Sequence, residues 1–319
     1  MSVALPHRPA ATTAAGRHVR QSLGAERSLQ AALGLIWVAD GVLQLQPFMF
    51  TRSFVTEIIA PNTAGQPGFV AWPITLAEHL IEPRVALFNA FAAALQILLG
   101  LGMLYRPTVR IALLGSIGWA VSVWWIGEGL GGLFTGAASP FTGAPGAALL
   151  YVLAGLIIWP RTSWQAGRHL AGGVLGRRGA LVAWAILWLG SAALWLLPAN
   201  RTADAVHNQI AQAPSGASWL SSIQASLAAT TEGHGAIIAI AAASISAAIG
   251  LAALLNRWAE PSVALTVVLA LIYFVIGQGM GGILTGSGTD PGTGPLLVWL
   301  VLAIYAICRP KTHIGRQVA

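Results

Sequence analysis

The chain has 319 residues, of which 56% are hydrophobic and 8% charged, with 17 Lys and Arg against 10 Asp and Glu. Soluble domains carry about 25% charged residues, so the composition excludes a soluble globular domain and implies an integral membrane protein. The net charge of +7 is dispersed around apolar runs and forms no continuous basic patch, which argues for the lipid bilayer as partner and against nucleic acid.

Residues 1–27 contain scattered Arg and His but no apolar core, so they read as a flexible cytoplasmic tail and not as a secretory signal. Apolar runs long enough for helical spans follow at 29–50, 84–105, 110–133, 179–197, 233–255 and 262–284, with shorter runs at 146–160 and 295–308. These runs are continuously apolar, whereas barrel strands alternate in polarity. The expected fold is all-α: a polytopic bundle of eight transmembrane helices.

The chain also repeats itself. The segment WWIGEGLGGLFTGAASPFTGAPG at Trp124 to Gly146 returns as YFVIGQGMGGILTGSGTDPGTGP at Tyr273 to Pro295, the signature of a duplicated unit. LGLIWVADGVLQLQP at Leu33 to Pro47 likewise matches AILWLGSAALWLLP at Ala185 to Pro198. Four spans per half return the chain to its starting side, so the two four-helix repeats are expected to be parallel. The resulting division is a tail at 1–27, a first repeat at 28–160, a cytoplasmic linker at 161–178, a second repeat at 179–308 and a tail at 309–319.

Between the first two spans of each repeat lie Ser53 to Arg84 and Arg201 to Gly233, too polar to span and punctuated by Pro and Gly. Each is expected to form two short helices on the outer surface. With both termini inside, only Arg52, Arg84 and Arg201 of the 17 Lys and Arg fall outside, as the positive-inside rule requires. Glu57, Glu78, Glu82, Asp204, Glu232 and Asp290 fall on the outer side. The implied location is a cytoplasmic membrane of prokaryotic type.

Several residues are candidates for chemistry. Asp40 stands about midway along the first span, where an ionised carboxylate is costly and marks either a functional position or an internally bonded one; its counterpart is Ser191. Glu128, replaced by Gln278 in the second repeat, lies toward the outer end of the third span. Around these two residues, Gly127, Gly129, Gly131 and Gly132, and Gly277, Gly279, Gly281 and Gly282, admit either close helix packing of GxxxG type or close approach of a ligand. Thr135 and Thr285 begin the loops that follow, read as compact turns or as an anion-binding nest. Gln96 and Asn89 in the second span are candidates for interhelical hydrogen bonding.

Glu78 and His79, and Glu232 and His234, pair an acid with an imidazole near corresponding helix starts. With His207 and Met49 they form a candidate metal set, opposed by a solvated reading and unsupported by compact ligand spacing. The lone Cys308 excludes an internal disulfide. No span carries a mid-membrane His suited to haem, and GEGLGGL ends a helix where a Rossmann glycine motif would open one. No intrinsic cofactor is evident, and catalytic residues are not identified.

Each half resembles the four-helix DoxX family, which includes the small membrane subunit of thiosulfate:quinone oxidoreductase. RSLQAALGLIWVADGVLQL at Arg27 to Leu45 and ALQILLGLGMLYRPTVRIAL at Ala94 to Leu113 carry the resemblance. The departures are Gln96, where an acidic residue is expected, and the long outer segments. The resemblance implies an accessory subunit of a membrane redox system that contacts quinone, with Asp40 or Glu128 meeting a quinone oxygen, and not a complete oxidoreductase. Two further readings stand beside it: a proton- or cation-coupled transporter of a small solute or metal, and a non-catalytic assembly subunit whose outer face binds an exported partner.

Overall fold

The computed structural model describes residues 14–160, 172–255 and 260–308, with side chains from residue 24. The first 13 residues of the expected tail, residues 161–171 of the linker and the tail at 309–319 lie outside the described residues. Within them the structure is helical, without strands.

Eleven α-helices follow in order: α1 Ala14–Leu43, α2 Gly68–Ile81, α3 Val85–Leu104, α4 Val109–Ile126, α5 Ala147–Ile157, α6 Gly176–Trp195, α7 Ala205–Ala211, α8 Ser218–Thr231, α9 Gly235–Leu254, α10 Glu260–Ile272 and α11 Thr293–Cys308. Among the described residues five helical stretches are long and apolar enough to cross a membrane: Gly68–Leu104, Arg106–Ile126, Gly173–Trp195, Gly235–Leu254 and Glu260–Gly277. Two shorter apolar helices, Ala147–Ile157 and Thr293–Cys308, accompany them. This architecture fits an integral membrane protein.

The helices pack by stripes readable in the sequence. Leu29, Leu33, Trp37 and Asp40 are buried on one face of α1, at the three- and four-residue spacing of a helical stripe. On α3 the buried stripe is Asn89, Ala92, Ala93, Gln96, Leu99, Gly100 and Met103. The two helices cross at Gly34 and Gly100, where a Cβ on Gly34 would stand 2.8 Å from the Gly100 carbonyl oxygen; only the absence of side chains permits this approach. In the other half α6 packs on α9, whose stripe includes Ala239, Ala243, Ser246, Ile249, Gly250 and Ala253.

The helix ends differ from the sequence expectation near the candidate residues. Helix α1 stops at Leu43, so Asp40 lies one turn from the helix end and not midway along the span. The cause is Pro47: the residue before a proline is pushed to extended backbone, and Gln46 has ψ 143°. Leu197, before Pro198, has the same ψ of 143°.

Helix α4 ends at Ile126, short of the expected 133. Gly129 at φ 52°, Leu130 at 54°, Gly131 at 65° and Gly132 at 68° then turn left-handed, and Gly279, Met280, Gly281 and Gly282 repeat this at 52°, 58°, 68° and 67°. The GxxxG expectation therefore fails, since Gly131 and Gly281 stand in turns and not on a helical packing face. The segment after α1 holds four short helical turns and the 14-residue α2, while the segment after α6 holds one short turn, α7 and α8.

Candidate functional site

The site begins with the left-handed glycine turns. Each reverses the chain so that the residue before it reaches the start of the next helix. Glu128 accepts hydrogen bonds from the Ala148 N–H at 3.0 and 3.3 Å, on its two carboxylate oxygens. Gln278 accepts from the Thr293 N–H at 2.8 Å through Oε1 and donates Nε2 to Thr293 Oγ1 at 2.9 Å. The exposed first N–H groups of a helix favour such acceptors, and a carboxylate adds attraction to the helix dipole. Both side chains thus serve α5 and α11 as caps. Thr135 and Thr285 close the turns by donating to the Gly132 and Gly282 carbonyls at 2.8 and 2.7 Å, so the compact-turn reading of these threonines is the one the geometry displays.

Asp40, Gln96 and Glu128 come together on one cavity of about 160 Å³, with Gln44, Tyr151 and Asp290. Its remaining wall is apolar and aromatic, including Trp37, Phe54, Phe88 and Trp119. Tyr151 donates its hydroxyl to Asp40 Oδ2, joining α5 to α1, and Trp37 donates Nε1 to Ser116 Oγ at 2.9 Å. Four buried polar atoms of residues that line the cavity have no protein partner: Asp40 Oδ1, Gln44 Oε1, Gln96 Oε1 and Trp119 Nε1. Buried polar groups are nearly always hydrogen-bonded, and leaving one unpaired costs roughly 1–3 kcal/mol.

In the second half the corresponding positions are filled by aromatic side chains. Counting back from Pro47 and Pro198, Gln44 corresponds to Trp195 and Asp40 to Ser191; counting back from Gly127 and Gly277, Val123 corresponds to Tyr273. Trp195 donates Nε1 to Tyr273 Oη at 3.0 Å, and Phe141, from the loop after the first glycine turn, packs against both rings at 6.2 and 6.0 Å. The space left there is about 10 Å³, roughly that of one water.

The loops cross between the halves. Residues around Phe141 fill the second half, where Asn200 Nδ2 also donates to the Ala138 carbonyl at 2.8 Å. The loop before α11 reaches the first half, where Gln46 Nε2 donates to the Gly288 carbonyl at 2.9 Å, and it sets Thr289 and Asp290 into the cavity wall. Asp290, placed by the sequence on the outer side, is half-buried as a residue with its carboxyl enclosed, accepting from the Thr289 hydroxyl at 2.9 Å and the Gly292 N–H at 2.7 Å. A loop acid flanked by Gly and Pro carries no sequence sign of the cavity it will meet.

A second, polar cavity of about 690 Å³ lies between the two glycine turns, with Ser139, Thr142, Gln209, Gln278 and Thr293 on its wall. Gly127, Glu128, Ala147 and Asp290 belong to both cavities. Among the described residues no Lys, Arg or His lines either one. Glu128 lies beyond the end of α4, and its carboxyl is pushed up to about 8, first by burial and then by the neighbouring charge of Asp290, against the stabilising N–H groups of Ala148 and Ala147. Burial likewise raises the Asp290 carboxyl, partly offset by Thr289 and Gly292. The physical cause is common to both, since desolvation disfavours the charged form and no cation compensates.

The candidate metal residues are dispersed. Among the described residues no group of three His, Cys, Asp or Glu side chains is placed to hold a metal ion. His207 Nδ1 pairs with the Ala228 carbonyl at 2.9 Å and His234 Nδ1 with the Glu232 carbonyl at 2.7 Å, while Glu78 and His79 lie on α2. Asn89 donates to the Met49 carbonyl, fixing α3 to the turn after α1. Comparison with family models, with curated proteins and with solved structures returned no match to this chain.

Proposed function

We propose that this integral membrane protein binds a lipid-soluble ring compound of the quinone class in the cavity beside Asp40, as an accessory subunit of a membrane redox system resembling the DoxX family. The observation that carries this reading is a largely apolar and aromatic cavity whose polar lining residues Asp40, Gln44, Gln96 and Trp119 each keep one buried polar atom without a protein partner. A cavity of about 150 Å³ accepts benzene, so 160 Å³ suits one substituted ring. Trp119 Nε1 offers a donor to a ring carbonyl, and Gln44 Oε1, Gln96 Oε1 and Asp40 Oδ1 offer acceptors to the hydroxyls of the reduced ring. Ser122, on the cavity wall, is exposed on the flank of α4, which gives an apolar ligand a lateral way in from the bilayer.

The accompanying topology counts α1, α5 and α11 with the five long stretches as eight spans, in two parallel repeats with both termini cytoplasmic. The recurrence of helix, glycine turn, cap and following helix in both halves supports it. Titration of the purified protein in lipid nanodiscs with a short-chain ubiquinone analogue tests the function. Saturable binding that falls in Gln96→Leu is expected; no saturable binding, or binding indifferent to Gln96→Leu, would sink the proposal.

A second reading, a proton- or cation-coupled transporter, is favoured by the polar cavity that meets the first at Glu128 and Asp290. Solute uptake into liposomes, driven by a pH gradient and lost in Asp40→Asn, would establish it. An exported protein partner has its natural place at the glycine-rich end, and copurification from native membranes tests that role.

A further inference from the structure

The two cavities meet at two carboxyl groups, and the inner one contains a third. Asp40, which lines the inner cavity, accepts the Tyr151 hydroxyl through Oδ2, and its buried Oδ1 has no protein partner. Glu128 and Asp290, contributed by different halves of the chain, are shared by the inner cavity and the polar one. The ionisable groups on the two walls are Asp40, Glu128, Tyr151 and Asp290, with no Lys, Arg or His among them.

From this arrangement we infer that Glu128 and Asp290 form a proton-transfer station linking the buried Asp40–Tyr151 pair to the polar cavity at the glycine-rich end. A carboxyl group passes a proton without net change when one oxygen receives a proton as the other releases one. Acting in succession, or through one intervening water, Asp290 and Glu128 would carry a proton between the polar cavity and Asp40 Oδ1, with the charge of each group restored after transfer. The cap geometry leaves Glu128 able to do this, because its bonds to Ala148 come from a fixed N–H donor that gives up no proton. Gln278, which fills the same cap with an amide, has no such capacity. The station does not depend on the identity of the ring ligand, since it concerns exchange with Asp40 in the unliganded protein.

Infrared spectroscopy of the protein in nanodiscs, with no quinone added, provides the test. The carbonyl band of protonated Asp40, assigned by its loss in Asp40→Asn, shifts when the medium is changed to D2O. In the wild type this shift is expected to be rapid; in the Glu128→Gln, Asp290→Asn double variant it is expected to slow by about tenfold or more, the scale on which a positioned proton carrier acts. Glu128→Gln preserves the cap in the form Gln278 already uses, and the amide band of the same spectra reports whether the helices remain. Unchanged exchange in a folded double variant, or absence of a protonated Asp40 band, would overturn the inference. Failure of quinone binding would leave it standing, and loss of the station would leave the ring site standing.

Discussion

Glu128 accepts the Ala148 N–H at 3.0 Å in the place where Gln278, in the corresponding turn, accepts the Thr293 N–H at 2.8 Å. The acid and the amide therefore share one structural duty, and the difference between them lies in what else each can do. Both Glu128→Gln and Glu128→Ala remove the titrating group, and Glu128→Ala is expected to be less stable than Glu128→Gln by about 1 kcal/mol, the usual effect of losing a helix cap. Thermal unfolding of both variants in nanodiscs separates the two duties; equal loss in both would show that the charge, and not the cap, holds the turn.

Tyr151 is the partner of Asp40. Tyr151→Phe removes the donor and leaves a second carboxyl oxygen unpaired, so destabilisation of about 1–3 kcal/mol is expected. In the Asp40→Asn background the same change should cost measurably less, because the two residues form one interaction. Additive losses across the double-mutant cycle would contradict the coupling.

The second half shows how the cavity can be closed. Gln44→Trp places at the first site the residue found at the corresponding position 195, and is expected to abolish binding of the short-chain quinone analogue. Overpacking typically costs about 1–3 kcal/mol, and the empty 160 Å³ should hold the cost near the lower figure. Retained binding in the folded variant would place the ligand elsewhere.

The raised Asp290 carboxyl has a consequence for stability. In the unfolded chain this group ionises near its ordinary value of 3.8; in the folded protein burial keeps the proton on to higher pH. Above that ordinary value the unfolded state binds fewer protons, so folding stability falls as pH rises and levels off beyond the folded value. Glu128, raised from 4.5 to about 8, contributes with the same sign. Asp290→Asn removes one share of the slope, and its melting temperature relative to wild type should rise as the pH is raised above the ordinary value of 3.8. A constant difference across that range would mean that the carboxyl is not buried as described.

Much of this protein was legible in its residues. Apolar runs located the helices to within a few positions at α3, α6 and α9, because a helix that faces lipid must satisfy its backbone internally and be apolar over most of its surface. The repeat of WWIGEGLGG as YFVIGQGMGG drew attention to Glu128, Gln278 and Asp40 as a set of differences. The premature ends of α1 and α4 were also latent in Pro47 and in the run of glycines, whose left-handed turn depends on local chemistry alone.

Other relations had no local cause. That Asp290 joins Asp40 and Glu128 follows from a loop of the second half lying across the first, and that the second cavity is filled follows from Phe141 crossing the other way to meet Trp195 and Tyr273. The sequence by itself determined an apolar helical protein, its glycine turns and its inventory of polar residues, because hydropathy and backbone preference act over a few neighbours. Only the tertiary structure decided which halves exchange loops, which of two similar bundles keeps a void and which carboxyl groups share it, because packing joins side chains more than a hundred residues apart and leaves no trace in the spacing along the chain.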